Sequence, residues 1–229
     1  MIDSDAYAWL TREARIGVGE AGCVTVVAGL TGADVLEAFG AESDLRVSLA
    51  ADRDTAPPNL AGLVELGDAC VFVEPNGFQG APHEVLRRAS KSGAAAAVQW
   101  DVNGSVYVGC ARKGRVLCLV DLVVDEELEG MPAKLKRLMP DDRIEADLVA
   151  VGAAMVETFV GTGFGAQDLS GIDMFHVLST VLSDLRWQSP TSSPLRYDAS
   201  WRLDRVVAAE DETRRAFGRV VCDPGGAPG

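Results

Sequence analysis

The amino-acid sequence predicts an α+β fold: a mostly antiparallel sheet with helices packed on one face and a helical C-terminal extension. Three observations predict it. Between Ala97 and Val120, three strand-like runs are separated by Asn103-Gly104 and Arg112-Lys113-Gly114, the punctuation of an antiparallel meander. Upstream, a Val-rich run from Cys23 to Ala28 leads directly into a helical pattern from Thr31 to Phe39. Beyond Asp121 the strand pattern stops and helix-length apolar periodicity begins, which sets a boundary near residue 130. The organisation expected is an α+β domain over residues 1–130, a helical extension packed on it over 131–222, and a disordered Gly/Pro tail over 223–229.

Each element has a local reason. Ala6 to Ala14 combines helix formers with apolar Trp9 and Leu10, and Gly17 and Gly19 stop it. Cys23 to Ala28 is a strand closed by Gly29, and Thr31 is placed to cap the helix that follows, with Asp34 in its first turn. Leu45 to Leu49 alternates weakly as a strand, and Asp52 to Asn59, with Pro57 and Pro58, is a loop. Ala69 to Glu74 is a strand; Pro75-Asn76-Gly77 ends it, and Pro82 opens a short helix to Ser90 that Gly93 closes. In the meander, Val98, Trp100 and Val102 alternate with Gln99 and Asp101, which predicts one apolar face and one wet face. Met131 to Met139, Ala146 to Val160 and Ile172 to Trp187 are helical; in the last, Ile172, Phe175, Leu178, Val181, Leu182 and Leu185 share a face. Ser189 to Pro194 is a loop, and Trp201 to Val207 a final strand.

Composition excludes several functions. With 229 residues, 48% of them hydrophobic, the chain buries a core without metal or disulfide staples. Its 21 Lys and Arg against 34 Asp and Glu give a net charge of -13, which repels a phosphate backbone, so no nucleic acid is expected as a partner. No run approaches the roughly 18 apolar residues of a membrane span, and Met1 to Leu10 lacks the basic-then-apolar order of a secretory signal. A cytoplasmic location and no membrane partner follow as expectations. The 5 cysteines have no Cys-x-x-Cys spacing and, apart from Cys222, sit in Val-rich runs, so they read as reduced buried thiols. With 2 histidines in the chain, neither a metal site nor a cofactor is expected.

Four places have a chemical reading beside a plainer one. Gly161-Thr162-Gly163-Phe164-Gly165 is glycine-rich, but it follows a helix and lacks the lysine of a phosphate loop, so it reads as a helix end. Asp173, His176 and Thr180 would share a helix face, which suits proton transfer or, more simply, solvation. Glu74, Asn76, Gly77, Phe78, Gln79, Gly80 and His83 form a candidate ligand loop: Glu74 is placed as a base and the next helix start as an anion holder, although Glu84 there is explained by the helix dipole alone. Asp121, Asp125, Glu126, Glu127 and Glu129 are either a solvated linker or a surface that steers a basic partner. No nucleophile elbow or His-Glu-x-x-His pair occurs, and no catalytic residue is assigned.

Several of these residues carry a resemblance. Tyr7-Ala8-Trp9-Leu10, Leu30-Thr31 before a helix, the acidic-x-Asn-Gly-aromatic-x-Gly loop from Glu74 to Gly80, and Glu-Val-Leu-Arg-Arg-x-Ser from Glu84 to Ser90 resemble a domain-of-unknown-function family of high-GC bacteria over roughly residues 1–125. The resemblance implies one α+β unit and no particular reaction. The function expected from charge and absent motifs is a non-catalytic, acidic, cytoplasmic protein-binding module, an immunity-type or regulatory partner of a basic protein. The alternative is a small-molecule-binding or enzymatic domain with its site at the Glu74–Gly80 loop.

Overall fold

The computed structural model describes residues 4–12, 20–48, 60–172 and 174–178. Its centre is an eight-stranded sheet in the order β2-β8-β3-β4-β1-β5-β6-β7, in which every described neighbour pair is antiparallel. The strands are β1 (Gly22–Ala28), β2 (Ala41–Ser48), β3 (Leu60–Leu66), β4 (Ala69–Pro75), β5 (Ala94–Trp100), β6 (Val106–Arg112), β7 (Arg115–Asp121) and β8 (Met174–Leu178). The helices are α1 (Trp9–Arg12), α2 (Gly32–Phe39), α3 (His83–Ala89), α4 (Ala133–Lys136), α5 (Leu148–Val160) and α6 (Ala166–Ser170), with a 3-10 turn at Ser4–Tyr7. The α+β class and the antiparallel sheet stand as the sequence predicts them.

The meander forms where its turns dictate. Asp101 accepts the N–H of Asn103 at 2.8 Å and of Ser105 at 3.2 Å, closing the β5–β6 turn. Lys113 and Gly114 both take positive φ, at 50° and 72°, the backbone of the tight turn that suits twisted strands. At α2, Thr31 Oγ1 accepts the Asp34 N–H at 3.2 Å while Asp34 accepts the Thr31 N–H at 3.2 Å, so two orphan donors are satisfied reciprocally. Gly40, at φ 70°, ends the helix. The Asp147 side chain caps α5, and Gly161 at φ 93° terminates it, which makes the start of the glycine run a helix end as expected.

Both faces of the sheet are covered, where the sequence predicts helices on one. Alternate residues of β1 divide the core: Val24 and Val26 pack with α5 and the N-terminal turn, whereas Cys23 and Val27 pack with Val35 and Phe39 of α2 and Val85 and Leu86 of α3. The central strands β1, β4 and β5 are therefore buried almost throughout. Their Val- and Ala-rich sequence is the continuous apolar run of a strand covered on both sides rather than the alternation of a half-wet one. Gly152 lets α5 approach closely, since a Cβ there would stand 2.6 Å from Val98 Cγ2.

Other differences are local. The expected helix from Ile172 begins instead as β8, and its remainder lies outside the described residues, as do Ser189–Pro194, Trp201–Val207 and the 223–229 tail. Phe175 and Leu178 fit a helix face and a buried strand equally over so short a stretch; pairing with β2 and β3 decides for the strand. His176 consequently stands opposite Arg46 and Ala61 in the ladder, not on a helix face with Asp173 and Thr180, which are outside the described residues. The sequence reading also misses β3, although Gly67-Asp68 between two apolar runs is a hairpin signal. Within Met131 to Met139 the α-helix spans Ala133–Lys136.

Candidate functional site

The ends of β4, β5 and β7 and the starts of β1 and β6 gather at one end of the sheet, so both predicted groups arrive there together. The register draws a single transverse row: Glu74 is the ladder partner of Cys23, Cys23 of Gln99, Gln99 of Tyr107, and Tyr107 of Asp121. Residues directly opposite on antiparallel strands share a face. Five polar or thiol side chains thus cross five strands in a line on the α3 side, linking the Glu74 loop to the acidic run.

At one end of the row the chemistry is closed. Glu74 is fully buried; its Oε1 accepts the Gln79 N–H at 2.6 Å and its Oε2 the Gly80 N–H at 2.7 Å. Burial pushes its pKa up to about 7, while the two backbone donors pull the other way. Burial and the neighbouring Glu74 push the Cys23 thiol well above its ordinary range, so it is no ready nucleophile. Gly80 has to be glycine, because a Cβ would collide with Thr25 Oγ1 and stand 3.0 Å from Glu74 Oε2. Asn76 takes φ 55° at the bend, and its N–H reaches Ala21 O at 3.1 Å. The loop is therefore drawn down onto Glu74, with Gly77 and Gly80 buried, Gln79 half-buried, and Asn76, Phe78 and His83 turned outward. His83 does not meet Glu74 in any hydrogen bond among the described residues.

At the other end the row opens. Asp121 is buried and accepts the Val123 N–H at 2.8 Å, while Asp125 accepts the Asp121 N–H at 2.8 Å. Burial raises the pKa of Asp121 and of Tyr107, whose hydroxyl bonds Asp121 and Ser105. Between the two ends, Gln99 Oε1 is buried without a hydrogen-bond partner among the described residues. The basic side chains nearby are spent on carbonyls: Arg143 donates to Leu122 O at 3.1 Å, Asp125 O at 3.0 Å and Glu126 O at 3.2 Å, and Lys136 to Glu127 O at 2.6 Å. Among the described residues the ion pairs join Glu84 to Arg87 and Arg88. Glu126, Glu127 and Glu129 thus present exposed carboxylates with no such partner, and Val123 and Val124, just before them in sequence, are 43% and 68% exposed. Phe78, Val102 and Ile144 add exposed apolar surface on the adjoining loops.

Glu74 and the Gln79 and Gly80 amides come together as one unit, as do Asp121 and Asp125; Glu126, Glu127 and Glu129 stay separate and solvated. Sequence reasoning misses Cys23, Gln99 and Tyr107, which register alone brings into line. Among the described residues no three His, Cys, Asp or Glu side chains are placed to hold a metal ion. Among them also, no helix is long and apolar enough to cross a membrane. A shallow hollow of about 410 Å³ lies away from this row, lined by residues including Trp9, Phe164 and Gln167.

No curated protein and no solved structure matches the chain. A match to a family of unknown function, DUF6461, covers residues 2–158, from before the N-terminal turn almost to the end of α5 and so across β1 to β7. By that span the chain belongs to the DUF6461 family of unknown function.

Proposed function

We propose that this end of the sheet is a docking surface for a basic protein, and that the chain acts as a non-catalytic regulatory or immunity-type partner. One observation carries the reading: exposed Val123 and Val124 are followed within six residues by exposed Glu126, Glu127 and Glu129, for which no ion pair exists among the described residues. Apolar surface within a charged rim is the anatomy of a protein interface, and unpaired carboxylates select a partner carrying Lys and Arg. The setting proposed is the bacterial cytoplasm, where a reducing environment suits the free thiols of Cys23, Cys70, Cys110 and Cys118.

The test is capture from native lysate with the wild-type chain and with Glu126→Lys/Glu127→Lys/Glu129→Lys. The expected result is a stoichiometric basic protein that leaves at high salt and is lost on charge reversal. A partner that binds both forms equally, or whose binding ignores salt, overturns the reading.

A second reading, a small-molecule site, draws on Gln99 Oε1, a buried acceptor with no partner between Glu74 and Tyr107. Native mass spectrometry of the purified chain tests it. A bound small molecule lost in Gln99→Leu supports it, and a ligand-free chain removes it.

A further inference from the structure

The opposite face of the sheet holds a pair of facing thiols. Cys110 on β6 and Cys118 on β7 are ladder partners, and both lie in the core cluster under α4 and α5. Directly opposite residues have Cβ atoms about 4.5–5.5 Å apart, and a disulfide needs about 3.5–4.5 Å. An approach of about 1 Å closes the difference. The ladder changes register immediately beyond this pair, between Cys110 and Ala111, which leaves the strands local slack.

The surroundings make the two thiols unequal. Cys118 keeps 5% of its surface exposed whereas Cys110 is fully buried, and the facing thiol is the main cause that holds Cys118 below the ordinary thiol range and Cys110 well above it. Lys136 favours the Cys118 thiolate, and Lys134 and Arg112 stand near Cys110, a cationic setting inside a chain of net charge -13. Cys118 is covered by the loop before α4, where Leu128 and Met131 join the same cluster and Gly130 packs against Leu117 O and Cys118 Cβ. Cys23 and Cys70 have neither a facing thiol nor a lowered pKa; burial pushes both up.

We infer that Cys118 and Cys110 are a redox-active dithiol that a low-molecular-weight disulfide oxidises to a cross-strand disulfide. The Cys118 thiolate attacks one sulfur of the disulfide, forming a mixed disulfide and expelling the first thiolate. Cys110 then gives up its proton and attacks Cys118 Sγ, expelling the second. The two protons lost by the protein end on the two released thiols, so the two-electron oxidation of the dithiol balances the reduction of the small disulfide. Cys118 is the attacking thiol and Cys110 the resolving one. The link would tie β6 to β7 three residues before Asp121, at the root of the acidic loop.

The experiment treats the folded full chain, with Cys222→Ser throughout, with oxidised glutathione, then alkylates free thiols and maps the peptides by mass. The expected result is a Cys110–Cys118 linked peptide lacking two hydrogens, with Cys23 and Cys70 reacting at least about tenfold more slowly. Cys110→Ser stops at a glutathione adduct on Cys118 that dithiothreitol releases, and Cys118→Ser leaves Cys110 unmodified. The inference is overturned if folded wild type keeps Cys118 free and unlinked, or if Cys110→Ser accumulates no adduct at Cys118. Cys110→Ala replaces Cys110→Ser where a buried hydroxyl unfolds the chain, and near-ultraviolet circular dichroism confirms the fold in each case.

Discussion

Glu74 sets burial against hydrogen bonding within one side chain. Its folded pKa of about 7 lies above the ordinary 4.5. A carboxyl raised in this way contributes its stability fully below the ordinary value and loses it as pH rises through the folded one. Relative to Glu74→Gln, wild type is therefore expected to be most stable below pH 4.5 and to lose about 3 kcal/mol by the time pH passes about 7, measured by urea unfolding across that window. Glu74→Gln carries its own penalty at every pH, because one of the Gln79 and Gly80 donors then faces an amide instead of an oxygen, at about 1–3 kcal/mol. If the two stability curves run parallel from pH 4.5 upward, the buried carboxyl is not the titrating group. Glu74 is legible in the sequence because a carboxylate directly before Pro-Asn-Gly invites a chemical reading. Its occupation as a loop clasp is not, because that depends on Gly80 lying over Thr25 from another strand.

Helix ends and helix faces follow local rules closely enough to be tested one at a time. Thr31→Ala removes one half of the reciprocal cap on α2 and should cost about 1 kcal/mol in chemical unfolding. Gly152→Val places two methyl groups where Val98 and Val108 already stand and should cost about 2 kcal/mol or more, because α5 cannot lift from β5 without opening the core. A thermal melt unchanged from wild type would show that α5 is held less tightly than its burial implies. The meander was readable because its turns announce themselves: Asn103-Gly104 and Lys113-Gly114 need only local backbone conformations. β8 is not readable, because Phe175 and Leu178 keep the helical spacing of three, and only a strand covered on both faces, paired with β2 and β3, can bury them on opposite sides. The cover on the second face was hidden for a related reason. Gln99 and Asp101 look like an outward-facing set along β5, yet Ala95 and Ala97 of the same alternation are fully buried under α3.

For the molecule as a whole, charge is unevenly compensated. A net charge of -13 is opposed among the described residues by ion pairs confined to Glu84, with Arg143 and Lys136 satisfied by carbonyls instead. Self-repulsion of this kind weakens the compact state and is screened over about 10 Å at 0.1 M salt. The melting temperature should rise by a few degrees as NaCl is raised from about 0.05 to about 0.5 M, followed by circular dichroism. Charge reversal at Glu126, Glu127 and Glu129 should raise it at low salt while abolishing capture of the proposed partner. A fall on charge reversal would mean that these carboxylates stabilise the fold after all.

The position of β8 bears on how the protein is made. Strands β2 and β3 are neighbours in sequence but not in the sheet; the gap between them is filled by a segment more than 100 residues further along. A ribosome must therefore release residue 178 before this half of the sheet can close. Until then, β3 offers its outer row of amides and carbonyls to any other extended chain nearby. Among the described residues the last strand to emerge is thus the one that seals the sheet, and the time between translation of β3 and translation of β8 is the interval in which a nascent chain depends on dilution or a chaperone to avoid pairing with its neighbours.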